Sequence, residues 1–93
     1  MVSAELVDCA GLAPGSLVDV ETKNRHYRIE CLGGSAMRIS GHPDYCPTPV
    51  PARVLESGVI ERGRHLHLLL DDRRPVTTSR VVRVRVQRPS TIQ

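Results

Sequence analysis

Four side chains in this sequence have the chemistry to hold a metal ion: His42, Cys46, His65 and His67. Imidazole nitrogen and thiolate sulfur are the donors that Zn²⁺ favours, usually four of them in a tetrahedron. His42 and Cys46 stand four apart in a proline-rich stretch, where stiff backbone reduces the entropy lost in holding a loop still. His65 and His67 are two apart in an alternating run, so a strand would project both rings from one face. The proline loop folded over that face would complete a zinc site. The spacing matches no zinc-knuckle or paired CxxC pattern, however. The leading expectation is therefore a protein without a cofactor, with an HxH pair on a solvated face and Cys46 as a small buried apolar residue.

The same residues suggest a nucleophile, with Cys46 attacking, His42 or His65 as its base and Asp44 orienting the base. Against this, Asp44 is only two residues from Cys46, and no oxyanion donor is evident beyond backbone amides near Gly41. Phosphate-binding glycine loops and the HExxH helix are absent too. A non-enzymatic protein is the expectation.

A second chemistry resides in arginine. Twelve of the thirteen basic residues are Arg, and the net charge is +3. Residues 1–46 carry four basic groups against six acidic, and the remainder carries nine against four. Arg83 and Arg85 alternate with valines in the last apolar run, with Arg88, Arg73 and Arg74 near it in sequence. Guanidinium forks match phosphate oxygens, and such a set would follow a nucleic-acid backbone with salt-sensitive affinity. Tyr45 in the proline loop is the tyrosine expected outside, so rings for base stacking are few. A bland reading competes with this one: outward arginines also guard an edge strand against unwanted pairing.

The elements that must position these groups read as short strands. Residues 17–22 alternate Val18 and Val20 with Asp19 and Glu21, the period-2 pattern of a half-buried strand. Lys23 and Asn24 offer a reversal, and 26–31 returns with Tyr27, Ile29 and Cys31 inward. Gly33 and Gly34 turn the chain again, and Met37 and Ile39 point inward from a third strand. These three form an antiparallel meander, with Asp19 opposite Arg28 as an outer-face ion pair.

Four prolines in 41–51 exclude a central strand there and predict a stiff strap. A fourth strand is expected over 52–57 and a short extended piece over 59–62. Residues 65–70 place Leu66, Leu68 and Leu70 inward. Residues 71–75 are a polar turn, followed by a brief helical turn near Thr78. The last strand, 80–87, is read with Val82, Val84 and Val86 inward and Arg83 and Arg85 outward. Residues 1–13 show no sustained period and suggest at most a helical turn.

With no Phe or Trp, the core must be aliphatic. Residues 1–93 are read as one all-β domain with its core over about 15–88, a small partly open antiparallel barrel or roll. An SH3-like barrel is the first choice and an OB-like barrel the second. The longest aliphatic run, Leu68 to Leu70, is too short to cross a bilayer, and no signal-peptide pattern opens the chain. Three cysteines cannot all pair within one chain, and reduced thiols in the cytoplasm are the expectation. The function so read is a small soluble binding or adaptor module whose partner is a protein or a nucleic acid, with no membrane contact. A zinc-binding protein is the alternative.

Overall fold

The computed structural model describes residues 2–33, 36–44, 46–55, 58–71 and 73–89. Its strands are β1 (Val2–Ala4), β2 (Leu6–Asp8), β3 (Leu17–Thr22), β4 (His26–Gly33), β5 (Ala36–Ser40), β6 (Val50–Val54), β7 (Val59–Glu61), β8 (His65–Leu70) and β9 (Arg74–Gln87). A single 3₁₀ turn, Cys9–Gly11, follows β2, capped by Asp8, whose carboxylate accepts from the Ala10 amide. The main sheet runs β1-β9-β3-β4-β5-β6-β8, antiparallel at every pairing, and β2 and β7 form a separate two-stranded piece.

Strand β9 gives the sheet its roll. Fourteen residues, thirteen steps of about 3.3 Å, would span roughly 43 Å, comparable to the 39 Å long axis of the molecule. Its first half pairs with β8 and its second half with both β3 and β1. The Arg80 carbonyl accepts from Lys23 on the β3 side, while Val81 bonds Arg64 and Gly63 on the other. One edge of β9 therefore carries β3, and the opposite edge carries β8 and then β1. Between those two ladders lies a seam at Val82 and Arg83, bridged by the Arg62 amide to the Glu5 carbonyl and by a 3.0 Å Arg62–Glu5 ion pair. The result is the partly open antiparallel roll that the strand count anticipates.

The meander β3-β4-β5 has the expected register, with Asp19 opposite Arg28 and their side chains 3.4 Å apart. Val18, Val20, Tyr27, Ile29, Met37 and Ile39 are all buried, as their parity requires. Leu66, Leu68 and Leu70 meet them from β8.

Four expectations need correction. The opening stretch is more than the expected helical turn: beside the 3₁₀ turn at Cys9–Gly11 it supplies β1 and β2, and Val7 and Cys9 join the core, which thus reaches upstream of residue 15. These three-residue strands exist because β9 and β7 offer them edges, a long-range cause invisible in local periodicity. The fourth strand begins at Val50 and takes in Pro51, whose missing amide is tolerated because Pro51 lies beyond the β8 ladder, its carbonyl accepting from Asp71 in the turn. It ends at Val54; the expected continuation through Glu56 and Ser57 lies outside the described residues. There is no helical turn at Thr78, because β9 is continuous from Arg74. Finally, Val82 faces outward and Val81 takes its place inside. A bulge between Glu21 and Thr22 sets Thr22 opposite Val81 and Glu21 opposite Arg83, so the extra residue shifts the parity.

Candidate binding surface

The proline loop is anchored at its root. Gly41 donates to the Cys46 carbonyl and Cys46 donates back to the His42 carbonyl, which makes 42–46 a tight reversal. At Gly41 φ is +124°, and a β-carbon there would stand 2.3 Å from the His26 carbonyl oxygen. Only glycine lets the loop cross β4 so closely. The His42 ring lies stacked near Tyr27, centroids 6.4 Å apart and planes at 22°. Its Nδ1 accepts from the Asp44 backbone amide at 3.1 Å, so in the neutral ring the proton sits on Nε2. Cys46, at 1% exposure, belongs to the core. Tyr45 lies outside the described residues.

His65 and His67 project outward from β8 and are tied to β9. His65 Nδ1 donates to the Thr78 carbonyl at 2.9 Å, and His67 Nδ1 meets Thr77 Oγ1 at 3.1 Å. Thr78 Oγ1, buried at the bulge, accepts from the Leu66 amide and donates to the Ser79 carbonyl. Among the described residues, no three His, Cys, Asp or Glu side chains gather where they could hold a metal ion. His42, Cys46, His65 and His67 thus do not form the shared zinc site that their chemistry suggests. For the nucleophile arrangement, the group of Asp44 bonded to His42 is its amide, and the Cys46 thiol is closed off from solvent.

The arginines named from sequence are spread over three places. Arg73 and Arg74 border a shallow recess at the β8–β9 hairpin with Leu70 and Asp71. Arg83 and Arg85 stand beside Glu21 and Asp19, their register partners on β3, and share a small recess with them and His26. Arg88 borders an apolar concavity of about 570 Å³ between β1, β2 and the end of β9, where Leu6, Leu12 and Val86 supply the walls. The outer face of β9, β3, β4 and β5 therefore alternates in charge: Arg85, Asp19 and Arg28 form one row, Arg83, Glu21 and His26 the next. Arg38 and Glu30 add a third pair on β4 and β5.

The other half of the roll is different. Outward positions on β8 and the first half of β9 are His65, His67, Leu69, Pro75, Thr77 and Arg80, none of them acidic. The β3–β4 turn, Lys23-Asn24-Arg25, packs beside them: the Lys23 backbone amide donates to the Arg80 carbonyl at 3.0 Å, and Asn24 Nδ2 bonds Ser79 Oγ. Lys23, Arg25 and Arg80 are all exposed. Sequence reading missed this cluster because the turn and its β9 partners are 55 or more residues apart and meet only through the β3–β9 pairing. The available signal was a basic turn at 23–25, and it carried no indication of which strand the turn would lie against.

Cys9, Cys31 and Cys46 are all free thiols and all buried. The hydrogen bond to Cys31, reinforced by burial, pushes the Cys9 thiol pKa far above its ordinary value, so Cys9 stays protonated. Among the described residues no helix is long and apolar enough to cross a membrane. No protein-family model matches this chain, and no curated protein or solved structure does either.

Proposed function

We propose that this chain is a non-enzymatic binding module that contacts an anionic macromolecule, a nucleic acid, through the outward face of its rolled sheet. The observation that carries the reading is the side-chain placement on β9, where Arg80, Arg83 and Arg85 all stand exposed on an element pinned by neighbours along both edges. Cations on a rigid strand lose little entropy when they meet phosphate, and the resulting affinity depends on salt through counterion release. A protein partner is the form that remains if nucleic acid does not bind. The three free, buried thiols fit a reducing cytoplasmic setting.

The roll is taken as SH3-like in preference to OB-like within this reading. Its support is the strand order β3-β4-β5-β6-β8-β9, which advances along the chain, whereas the OB barrel is a Greek key. The deciding experiment is fluorescence anisotropy of a labelled mixed-sequence oligonucleotide at about 20 mM and about 150 mM salt, between which binding to several phosphates weakens steeply. Binding at the lower salt that falls sharply at the higher is the expected result. No binding at low salt overturns the nucleic-acid reading.

A further inference from the structure

Resting on that reading, we infer that the nucleic-acid face is the sheet of β8 and the first half of β9 together with the Lys23–Arg25 turn, and that it takes a single strand. The charge pattern selects this face. Arg83 and Arg85 have Glu21 and Asp19 as register partners across the ladder, so an incoming phosphate meets a field that these carboxylates weaken. Lys23, Arg25 and Arg80 have no acidic register partner, and the hydrogen bonds Lys23–Arg80 and Asn24–Ser79 hold the turn against the strand. Phosphates would lie along these three cations.

The rings select the strandedness. His65 and His67 are the outward rings of this face, two residues apart on one strand and therefore about 6.6 Å apart along it. Each ring is fixed by its Nδ1 contact to β9, at the Thr78 carbonyl and at Thr77 Oγ1. Imidazoles held at the edge by hydrogen bonds present their faces to unstacked bases, the arrangement by which sheet surfaces bind single strands. A duplex hides those base faces. Thr77 and Ser79, otherwise an unexplained hydroxyl run, become the groups that orient the ring of His67 and the basic turn.

The test uses the whole chain and a labelled mixed-sequence single strand of about 12 nucleotides, with the same sequence as a duplex. The single strand should bind more tightly. Lys23→Glu/Arg80→Glu should weaken it at least tenfold and flatten the log–log salt dependence by about 0.7 for each phosphate that is no longer neutralised. Arg83→Glu/Arg85→Glu should cost less than the first pair. His65→Ala should lose about tenfold, and His65→Phe, which keeps a ring but lacks the hydrogen bond that fixes it, should recover part of that loss, while a Phe variant as weak as the Ala variant would count against stacking. Circular dichroism and thermal melting check each variant, and Lys23→Gln/Arg80→Gln replaces the reversed pair if that pair fails to fold. Ribose and deoxyribose strands run in parallel name the sugar, and a preference for either supports the inference. If the duplex binds better, or the Arg83/Arg85 reversal costs more than the Lys23/Arg80 reversal, this face is wrong while the binding-module reading stands. If the wild-type chain binds neither strand nor duplex, this inference and the nucleic-acid reading fall together.

Discussion

Val81 and Val82 are neighbours in sequence and opposites in environment: Val81 is 1% exposed against Thr22 in the core, and Val82 is 42% exposed at the seam. The bulge in the β3–β9 ladder separates them. Val81→Asp should prevent folding, because an unpaired buried carboxylate costs several kcal/mol in a domain whose whole margin is about 5–15 kcal/mol. Val82→Asp should change stability by about 0.5 kcal/mol or less. Urea melts of the two variants check this, and equal damage would show that the strand runs through without a bulge.

Gly41 is the second sensitive point. Gly41→Ala combines a positive φ with a β-carbon that meets the His26 carbonyl, a backbone atom that cannot turn aside. A destabilisation of about 3 kcal/mol is expected. Gly58 has φ of +72° but open space around it, so Gly58→Ala should cost about 1 kcal/mol, from conformation alone. Comparing the two by chemical denaturation separates the clash from the backbone strain.

Thr78 should tolerate Ser and resist Val. Its hydroxyl accepts from the buried Leu66 amide at the point where β8 and β9 fall out of step. Thr78→Val has the same shape and leaves that amide unsatisfied, at a cost of about 1–3 kcal/mol. Thr78→Ser keeps the acceptor and should stay within about 1 kcal/mol of wild type. Hydrogen exchange at Leu66 gives a local readout, and unchanged protection in the Val variant would mean that the amide has another partner.

Alkaline pH should weaken the fold through Cys9. The hydrogen bond to Cys31 and burial raise the Cys9 pKa above its ordinary 9.0, so the folded chain keeps a proton that the unfolded chain releases. Its stabilisation is fully present below pH 9.0 and declines as pH rises above it, because the unfolded state then binds fewer protons than the native state. The same hydrogen bond lowers the Cys31 pKa, which opposes the trend below pH 9.0 and adds little above it, so urea midpoints at about pH 9.5 and pH 10.5 should show the decline. Cys9→Ala should be less stable at the lower pH and show a smaller fall between the two. An equal fall in both proteins would assign it to other groups.

Much of the roll was legible because its strands advertise themselves locally. The alternation of Val18 and Val20 with Asp19 and Glu21, and of Leu66, Leu68 and Leu70 with His65 and His67, is the physical requirement of a sheet with one face buried. What escaped detection depends on partners far away in sequence. Val2–Ala4 is a strand only because β9 has a vacant edge, and the Val81/Val82 switch exists only because β3 and β9 differ by one residue. The surface shows the same division. His65 and His67 were legible as a pair on one strand, whereas the company of Arg80 with Lys23 follows from a hydrogen bond across 57 residues. Arg83 and Arg85 looked like a free basic pair until the register put Glu21 and Asp19 opposite them.

The central place of β9 also governs when the molecule can be made. Val2 pairs with Val86 and Leu17 with Gln87, so β1 and β3 wait for a strand that is synthesised much later. While the chain is still on the ribosome, the β3-β4-β5 meander can close on its neighbours, but β1 has no edge to join and the valines of β3 lack a covering strand. Bringing such distant segments together is entropically costly before any pairing is rewarded, which makes assembly late and comparatively slow. During that interval the nascent sheet exposes strand edges that invite wrong pairing. A translating cell would therefore experience this roll as aggregation-prone until β9 has emerged, however well the finished roll protects those edges afterwards.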